Sequence, residues 1–259
     1  MGCFLCRSSK IYVNVKPIFV NEYFDLVAKK TKKILFTSAT ICGADQFCKD
    51  LGITKSYASS EIPSSFPVKN RLVGYKPVGK LNFKNKNQLL PSFVKSIDNI
   101  IDYHKNENGL IHSVSYDNAN YIKENSKFKK QILIPNREEI MDIINVIKEK
   151  SEKERLIIVS PALTEGVDLI DNLSRFQIFI KVPFGFLGDV WVKTKLQQDS
   201  NWYARNAIVK IVQGAGRSIR SKDDYAYTYI LDENFRRLAT ESRNLFPNWF
   251  FESIRKINV

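Results

Sequence analysis

Gln213-Gly214-Ala215-Gly216-Arg217-Ser218-Ile219-Arg220 decides how the rest of this sequence is read. It closes a stretch, residues 202–221, whose spacing predicts one long helix. A helix interior disfavours glycine by about 1 kcal/mol relative to alanine, and here two glycines fall within three residues. Something must offset them, such as a close backbone approach to a ligand or to a neighbouring element. Arg217 and Arg220 are three apart, so on a helix they share a face. Two guanidiniums placed this way can chelate a polyphosphate, or stabilise charge that develops in phosphoryl transfer. The plainer alternative is a helix with surface arginines and a packing glycine.

Two further stretches carry candidate chemistry. Ser160-Pro161-Ala162-Leu163-Thr164-Glu165-Gly166-Val167-Asp168 follows an apolar run at 155–160 that reads as a strand. Gly166, lying between two acids, makes a tight loop there. Its backbone N–H groups and Thr164 can bind a phosphate or ribose, and Asp168 can take a hydroxyl or orient an arginine. Taken alone this is a common kind of acidic turn. Thr37-Ser38-Ala39-Thr40 ends the apolar run 33–37, which reads as a buried strand. Taken alone, its hydroxyls do no more than cap the helix expected at 44–51.

Strands are expected at 11–15, 33–37, 109–115, 131–135, 155–160, 175–182 and 226–231. Helices are expected at 23–30, 44–51, 87–104, 117–126 with an acidic cap, 137–149, 202–221 and 233–242. Residues 54–86, with Ser59, Ser60, Pro63, Ser64, Ser65 and Pro67, read as an irregular connector. This alternation predicts an α/β layered domain whose sheet is mostly parallel and flanked by helices. In such sheets the chemistry lies beyond the C-terminal ends of the strands. No repeat or low-complexity linker interrupts the chain, so one domain over 11–259, after a short extension at 1–10, is the simplest organisation.

The 259 residues are 44% hydrophobic and 12% aromatic, a globular composition. No run of eighteen apolar residues offers a membrane span, and the N-terminus lacks a secretory pattern. Gly2 and Cys3 suggest lipidation, but Cys6 stands where myristoylation wants Ser or Thr. Lysines and arginines exceed acids by 13. They cluster at Lys29–Lys33, Lys123–Lys130 and Arg217–Lys222, an excess that points to nucleic acid before a membrane surface. Cys3 and Cys6 have CxxC spacing, but Cys42 and Cys48 do not complete a common zinc pattern, so no metal site is expected. Four thiols in a chain of this size fit a reducing, intracellular compartment.

Together the three stretches resemble superfamily 2 helicases, in the family's order: motif III (Ser38-Ala39-Thr40), motif V (Thr164 to Asp168) and motif VI (Gln213 to Arg220). The chain is most similar to the C-terminal helicase domain, the second RecA-like (P-loop NTPase-type) motor domain, of the XPD/DinG branch. Ile34 to Ile41 resembles that branch's TSAT(L/I), Ser64-Ser65-Phe66-Pro67 its SPF, and Gly109 to Tyr116 its motif IV. Val182-Pro183-Phe184, Leu231 to Phe235 and Leu245 to Trp249 resemble its LPF, LDxRF and LPxW elements. The likeness spans about 11–253.

The resemblance implies that ATP with Mg²⁺ is clamped between this domain and a first one. Gln213, Gly214, Gly216, Gly166 and Asp168 would line the nucleotide, with Arg217 or Arg220 as arginine finger. Ser38 and Thr40 would link the ATP site to movement. Ser38, Thr40, Ser115, Tyr116 and Thr164 would lie along single-stranded DNA, with translocation 5′ to 3′. The family's iron–sulfur cysteines belong to the first domain, so no cluster is expected here. A single-strand track needs aromatic platforms beside cations. Tyr116, Phe184, Phe186, Trp191, Trp202 and Tyr203 are candidates, although aromatics more commonly build cores.

The first domain's signatures are missing. Gly74-Tyr75-Lys76-Pro77-Val78-Gly79-Lys80 has GxxxxGK spacing, but Leu81 stands where a hydroxyl would hold Mg²⁺ and no helix opens there. No DEAH-like acid pair is present; Asp223-Asp224 sits in a turn. The expectation is therefore a C-terminal motor half of an ATP-dependent DNA helicase, inactive alone and needing a Walker A/B-bearing half on another chain. The rivals are a non-catalytic nucleic-acid-binding module and a helicase-interacting protein that kept the fold.

Overall fold

In a computed structural model, residues 15–136, 138–139, 142–146, 155–161, 171–219 and 223–257 are described. Seven strands form one sheet: β1 (Val73–Gly79), β2 (Gly109–His112), β3 (Ile132–Leu133), β4 (Ile157–Ser160), β5 (Phe176–Phe179), β6 (Tyr227–Asp232) and β7 (Ile254–Lys256). Their order is β3-β4-β2-β5-β6-β1-β7, and every pairing is parallel.

The central strands are short and wholly buried, as a parallel sheet covered on both faces requires. Alternation sends their side chains to two cores. Ile111, Ile157, Val159, Phe176 and Ile178 meet one helix layer, α3 (Lys86–Tyr103) and α4 (Tyr116–Asn125). The α3 stripe Leu90, Phe93, Val94, Ile97, Ile100 and Ile101 has the i, i+3, i+4 spacing of an amphipathic helix. Phe179 and Ile230 face the other way. There they meet Ala207, Ile208, Ile211 and Val212 of α6 (Ser200–Ala215), with Phe235 and Leu238 of α7 (Asn234–Glu241). The second layer also holds α5 (Val190–Gln198), and α8 (Asn248–Phe251) precedes β7.

Several expectations change. The supposed connector contains β1, and the GxxxxGK sequence lies along it: Gly74 to Gly79 is strand, not a phosphate-cradling loop. Gly74 is glycine for packing, since a Cβ there would lie 2.6 Å from Ile257 Cδ1. Helix α3 does fall where a helix is expected, at 87–104, with Pro91 inside it. The cap of α4 is Ser115, which accepts the Asn118 N–H at 3.2 Å, and not an acid.

The largest departure is residues 33–37. They are not a buried strand: residues 31–39 are exposed, with Leu35 86% exposed. The run pairs with no strand of the sheet; Leu35 faces solvent, while Phe36 packs within the arm on Phe24 and Phe47, with ring centroids 5.9 and 5.2 Å away. It belongs to an arm that begins before α1 (Asn21–Ala28) and ends at α2 (Ala44–Leu51). Helix α1 buries no residue. The arm is fastened at separate points: Trp191 Nε1 donates to Pro17 O at 2.9 Å, and Lys195 Nζ to Ile18 O at 2.9 Å. The strand expected at 11–15 falls, but for Val15, outside the described residues.

Candidate nucleotide-facing site

Helix α6 carries the Gln213 end of the decisive stretch and is anchored at both ends. Asp199 caps it by accepting the Trp202 N–H at 3.0 Å. Burial tends to raise the Asp199 pKa, but Lys49, Gln46 and the Trp202 N–H outweigh it and hold this carboxyl below the usual range. One turn on, Arg205 spans to the arm. Its Nε donates to Ile41 O at 3.0 Å and to Cys42 O at 2.8 Å, and its Nη1 pairs with Asp50 at 3.4 Å. These bonds set the loop that holds Ser38 and Thr40 beside α6.

Near the other end of α6, Gln213 Nε2 donates to Thr40 Oγ1 at 3.1 Å. Thr40 in turn has its N–H on Ser38 Oγ at 3.1 Å. Ser38, Thr40 and Gln213 are thus one hydrogen-bonded group drawn from residues 173 apart in sequence.

The two glycines separate by role. A Cβ at Gly214 would lie 2.6 Å from Phe179 Cζ, so Gly214 lets α6 approach β5 closely. Gly216 has nothing within 4 Å of such a Cβ, and its φ of −76° suits any residue. Neither packing nor backbone conformation accounts for it. Helix α6 ends at Ala215, Arg217 lies on a following 3₁₀ turn (Gly216–Ser218), and Ile219 is extended. The α-helix expected to run on to residue 221 therefore stops before Arg217. Arg220 itself lies outside the described residues, as do Thr164, Gly166 and Asp168 of the turn after β4.

Beneath the 3₁₀ turn runs a buried polar chain that sequence reasoning missed. His112 Nε2 meets Gln177 Oε1 at 3.1 Å, and Gln177 Nε2 donates to Ser218 Oγ at 2.8 Å. All three side chains are buried. The His112 ring stacks on Phe179 at 4.1 Å, the same ring that Gly214 admits. Burial pushes His112 from 6.5 down to about 4, against the Gln177 hydrogen bond and helped by the charge of Arg217. His112 is therefore neutral at pH 7, and its Nδ1 has no partner. In sequence, His112 and Gln177 are single polar residues inside apolar runs, and only their pairing across β2 and β5 gives them meaning.

At the C-terminal end of β2, Val114 has φ of +68°. A β-branched residue rarely adopts that conformation, which costs about 1–3 kcal/mol and is typically found where a loop is functionally constrained. It places Ser115 as the α4 cap and leaves Tyr116 at 45% exposure. Of the other aromatic candidates, Phe186 is 79% exposed. Phe184 stacks on Tyr203 at 5.2 Å, and Trp191 meets Trp202 edge-on at 5.3 Å, so these four pack with one another. Cys42 and Cys48 are buried free thiols, and burial pushes Cys42 up to about 12. Cys3 and Cys6 lie outside the described residues. No group of three or more metal-ligating side chains occurs among the described residues, nor any helix long and apolar enough to cross a membrane.

A seven-strand parallel sheet between two helix layers is a RecA-like fold. Solved structures share the fold. An apo XPD structure superposes with a TM-score of 0.65 over 93% of this chain and 52% of its own, at 17% identity. Dbp5 of S. cerevisiae bound to RNA and ADP BeF3 gives 0.54 over 92% of this chain and 54% of its own, at 13% identity. The chain belongs to the helicase C-terminal domain family, whose model matches residues 99–253, and within it to the XPD/DinG type. Curated relatives include the regulator of telomere elongation helicase 1 homolog of Caenorhabditis elegans, 24% identical over 163 residues. That match covers 55% of this chain and 16% of the nematode protein. The ATP-dependent DNA helicase chl1 of Schizosaccharomyces pombe is 26% identical over 112 residues, 38% of this chain and 13% of its own. The matched stretch is thus about a sixth or less of the length of these relatives.

Proposed function

We propose that this chain is the C-terminal motor half of an ATP-dependent DNA helicase, working with a first motor half that carries the Walker A and B motifs on another polypeptide. The observation that carries this reading is the Gln213–Thr40 hydrogen bond, with Arg217 one turn further on. It joins a candidate nucleotide contact directly to the loop that would transmit movement.

The residues present suit an anionic polyphosphate. Gly216 leaves open space, Gln213 offers an amide, and Arg217 a guanidinium. ATP would supply the γ-phosphoryl group for transfer to water; Mg²⁺ would be held by the first half. Here Gln213, Gly216, Gly166 and Asp168 would position the nucleotide, with Gly214 seating the helix that carries Gln213 against β5, and Arg217 and Arg220 would stabilise negative charge that grows as the phosphoryl group leaves. The exposed Leu35, 86% accessible, with Ile34 beside it, is an apolar surface that a second half would bury. Ser38, Thr40, Ser115, Tyr116 and Thr164 line the path of single-stranded DNA, and the excess of 13 positive charges favours its phosphates.

The test is to mix the chain with a Walker-bearing first motor half and measure ATP turnover with and without single-stranded DNA. Turnover that appears only in the mixture supports the reading. Single-strand binding without any turnover in the mixture would favour a non-catalytic module instead.

A further inference from the structure

The loop between β1 and α3 holds Phe83 at 88% exposure. Slack in the loop does not explain this. Asn82 Oδ1 accepts the N–H groups of Lys84 and Asn85 at 2.9 and 3.1 Å. Asn85 Oδ1 accepts the Asn82 N–H at 2.9 Å, and Asn85 Nδ2 donates to Lys80 O at 2.8 Å. Four interlocked bonds brace the turn, and Phe83 is the one large apolar side chain it presents to water. Lys86 Nζ lies over the ring at 5.7 Å and also pairs with Asp117 Oδ2 at 3.6 Å. Asp117 directly follows Tyr116, the exposed aromatic at the end of β2. Lys86 therefore joins the Phe83 loop to Asp117, the residue after Tyr116, and both exposed rings follow the C-terminal ends of parallel strands.

We propose that this loop is a second contact for single-stranded nucleic acid: Phe83 stacks a base, Lys84 and Lys86 take adjoining phosphates, and Tyr116 stacks a neighbouring base. The proposal deepens the nucleic-acid reading given above and rests on it. The chemistry selects the occupant. An apolar protein partner would want a wider patch than one ring, whereas a braced aromatic between cations matches the alternation of base and phosphate along a strand. The Lys86–Asp117 pair is exposed on its acidic side, and such pairs hold weakly enough for a phosphate to displace them.

The experiment is anisotropy of a labelled twelve-residue oligo-dT titrated with the full chain at several salt concentrations. Phe83→Ala should weaken binding about tenfold, as loss of one stacked base does, with an unchanged salt slope, and Phe83→Trp should restore it. Lys84→Ala with Lys86→Ala should reduce the slope of log affinity against log salt by about 1.4, the value for two phosphates on a single strand. Asp117→Asn should tighten binding. If wild type binds and Tyr116→Ala weakens it while Phe83→Ala does not, the loop lies off the strand's path, this inference fails and the wider reading stands. If wild type does not bind oligo-dT at all, both fail.

Discussion

Gln213 Nε2 lies 3.1 Å from Thr40 Oγ1, a hydrogen bond between the end of helix α6 and the arm that precedes α2. It ties Gln213, three residues before the open Gly216, to Ser38 through Thr40. Removing either partner should cost about 1 kcal/mol, and removing both should cost little more than removing one. Denaturant unfolding of Gln213→Ala, Thr40→Val and the double variant measures this coupling. In the assembled enzyme each single variant should lower DNA-stimulated turnover more than basal turnover. Strictly additive losses of stability would show that the bond contributes nothing.

The glycines of the same stretch should respond in opposite ways. Gly214→Ala drives a methyl to within 2.6 Å of Phe179 Cζ in a packed core, and such overpacking typically costs about 1–3 kcal/mol. Phe179→Leu should relieve part of that loss. Gly216→Ala meets nothing within 4 Å, so stability should stay within about 0.5 kcal/mol of wild type. Nucleotide-dependent turnover should nevertheless fall, because the added methyl enters the space left for the ligand. Thermal melts and turnover measured on the same samples separate the two effects.

His112 gives the fold a defined acid sensitivity. Burial holds its pKa at about 4 in the folded chain, against about 6.5 for a free imidazole. The unfolded chain therefore takes up the proton first. The stability gained by keeping the ring neutral is intact above pH 6.5 and is lost as pH falls toward 4. The loss is about 1.4 kcal/mol per pH unit within that window, or roughly 2 kcal/mol between pH 6.5 and 5. Urea midpoints at the two pH values should show that difference between wild type and His112→Gln, which has no proton to gain. Parallel losses in both proteins would contradict the burial argument.

The arm should matter to assembly and not to folding. Ile34→Ser with Leu35→Ser alters side chains that face solvent, so the melting temperature of the lone chain should barely move. Association with a Walker-bearing half, followed by sedimentation, should weaken by tenfold or more. Unchanged association would place the partner elsewhere.

Much of this fold is legible in the sequence, for reasons that also explain what is not. Strands β2, β4, β5 and β6 are apolar runs because helices cover both faces of a parallel sheet. Helix α2 and its left-handed Gly52 stop are written as Gly after a short amphipathic stretch. Strand β1 is hidden because Gly74, Pro77 and Gly79 disguise its periodicity, and all three are tolerated near the sheet's margin. Residues 33–37 carry the pattern of a buried strand, yet no described strand of the sheet pairs with them; an apolar run reports a tendency to burial, not the surface that meets it. At the candidate site, Gln213 and Thr40 are each marked in the sequence, though the hydrogen bond between them is not. The His112–Gln177–Ser218 chain was not, because its meaning lies in the register of β2 against β5, which no single stretch encodes.

As proposed above, Arg217 and Arg220 complete an ATP site shared with another motor half. The direct measurement is ATP turnover of the chain mixed with a Walker-bearing first half, compared with the Arg217→Ala and Arg220→Ala variants at matched folding. Each variant should lower turnover by roughly 10³-fold or more, as loss of an arginine finger does. Normal turnover in both variants would contradict the account.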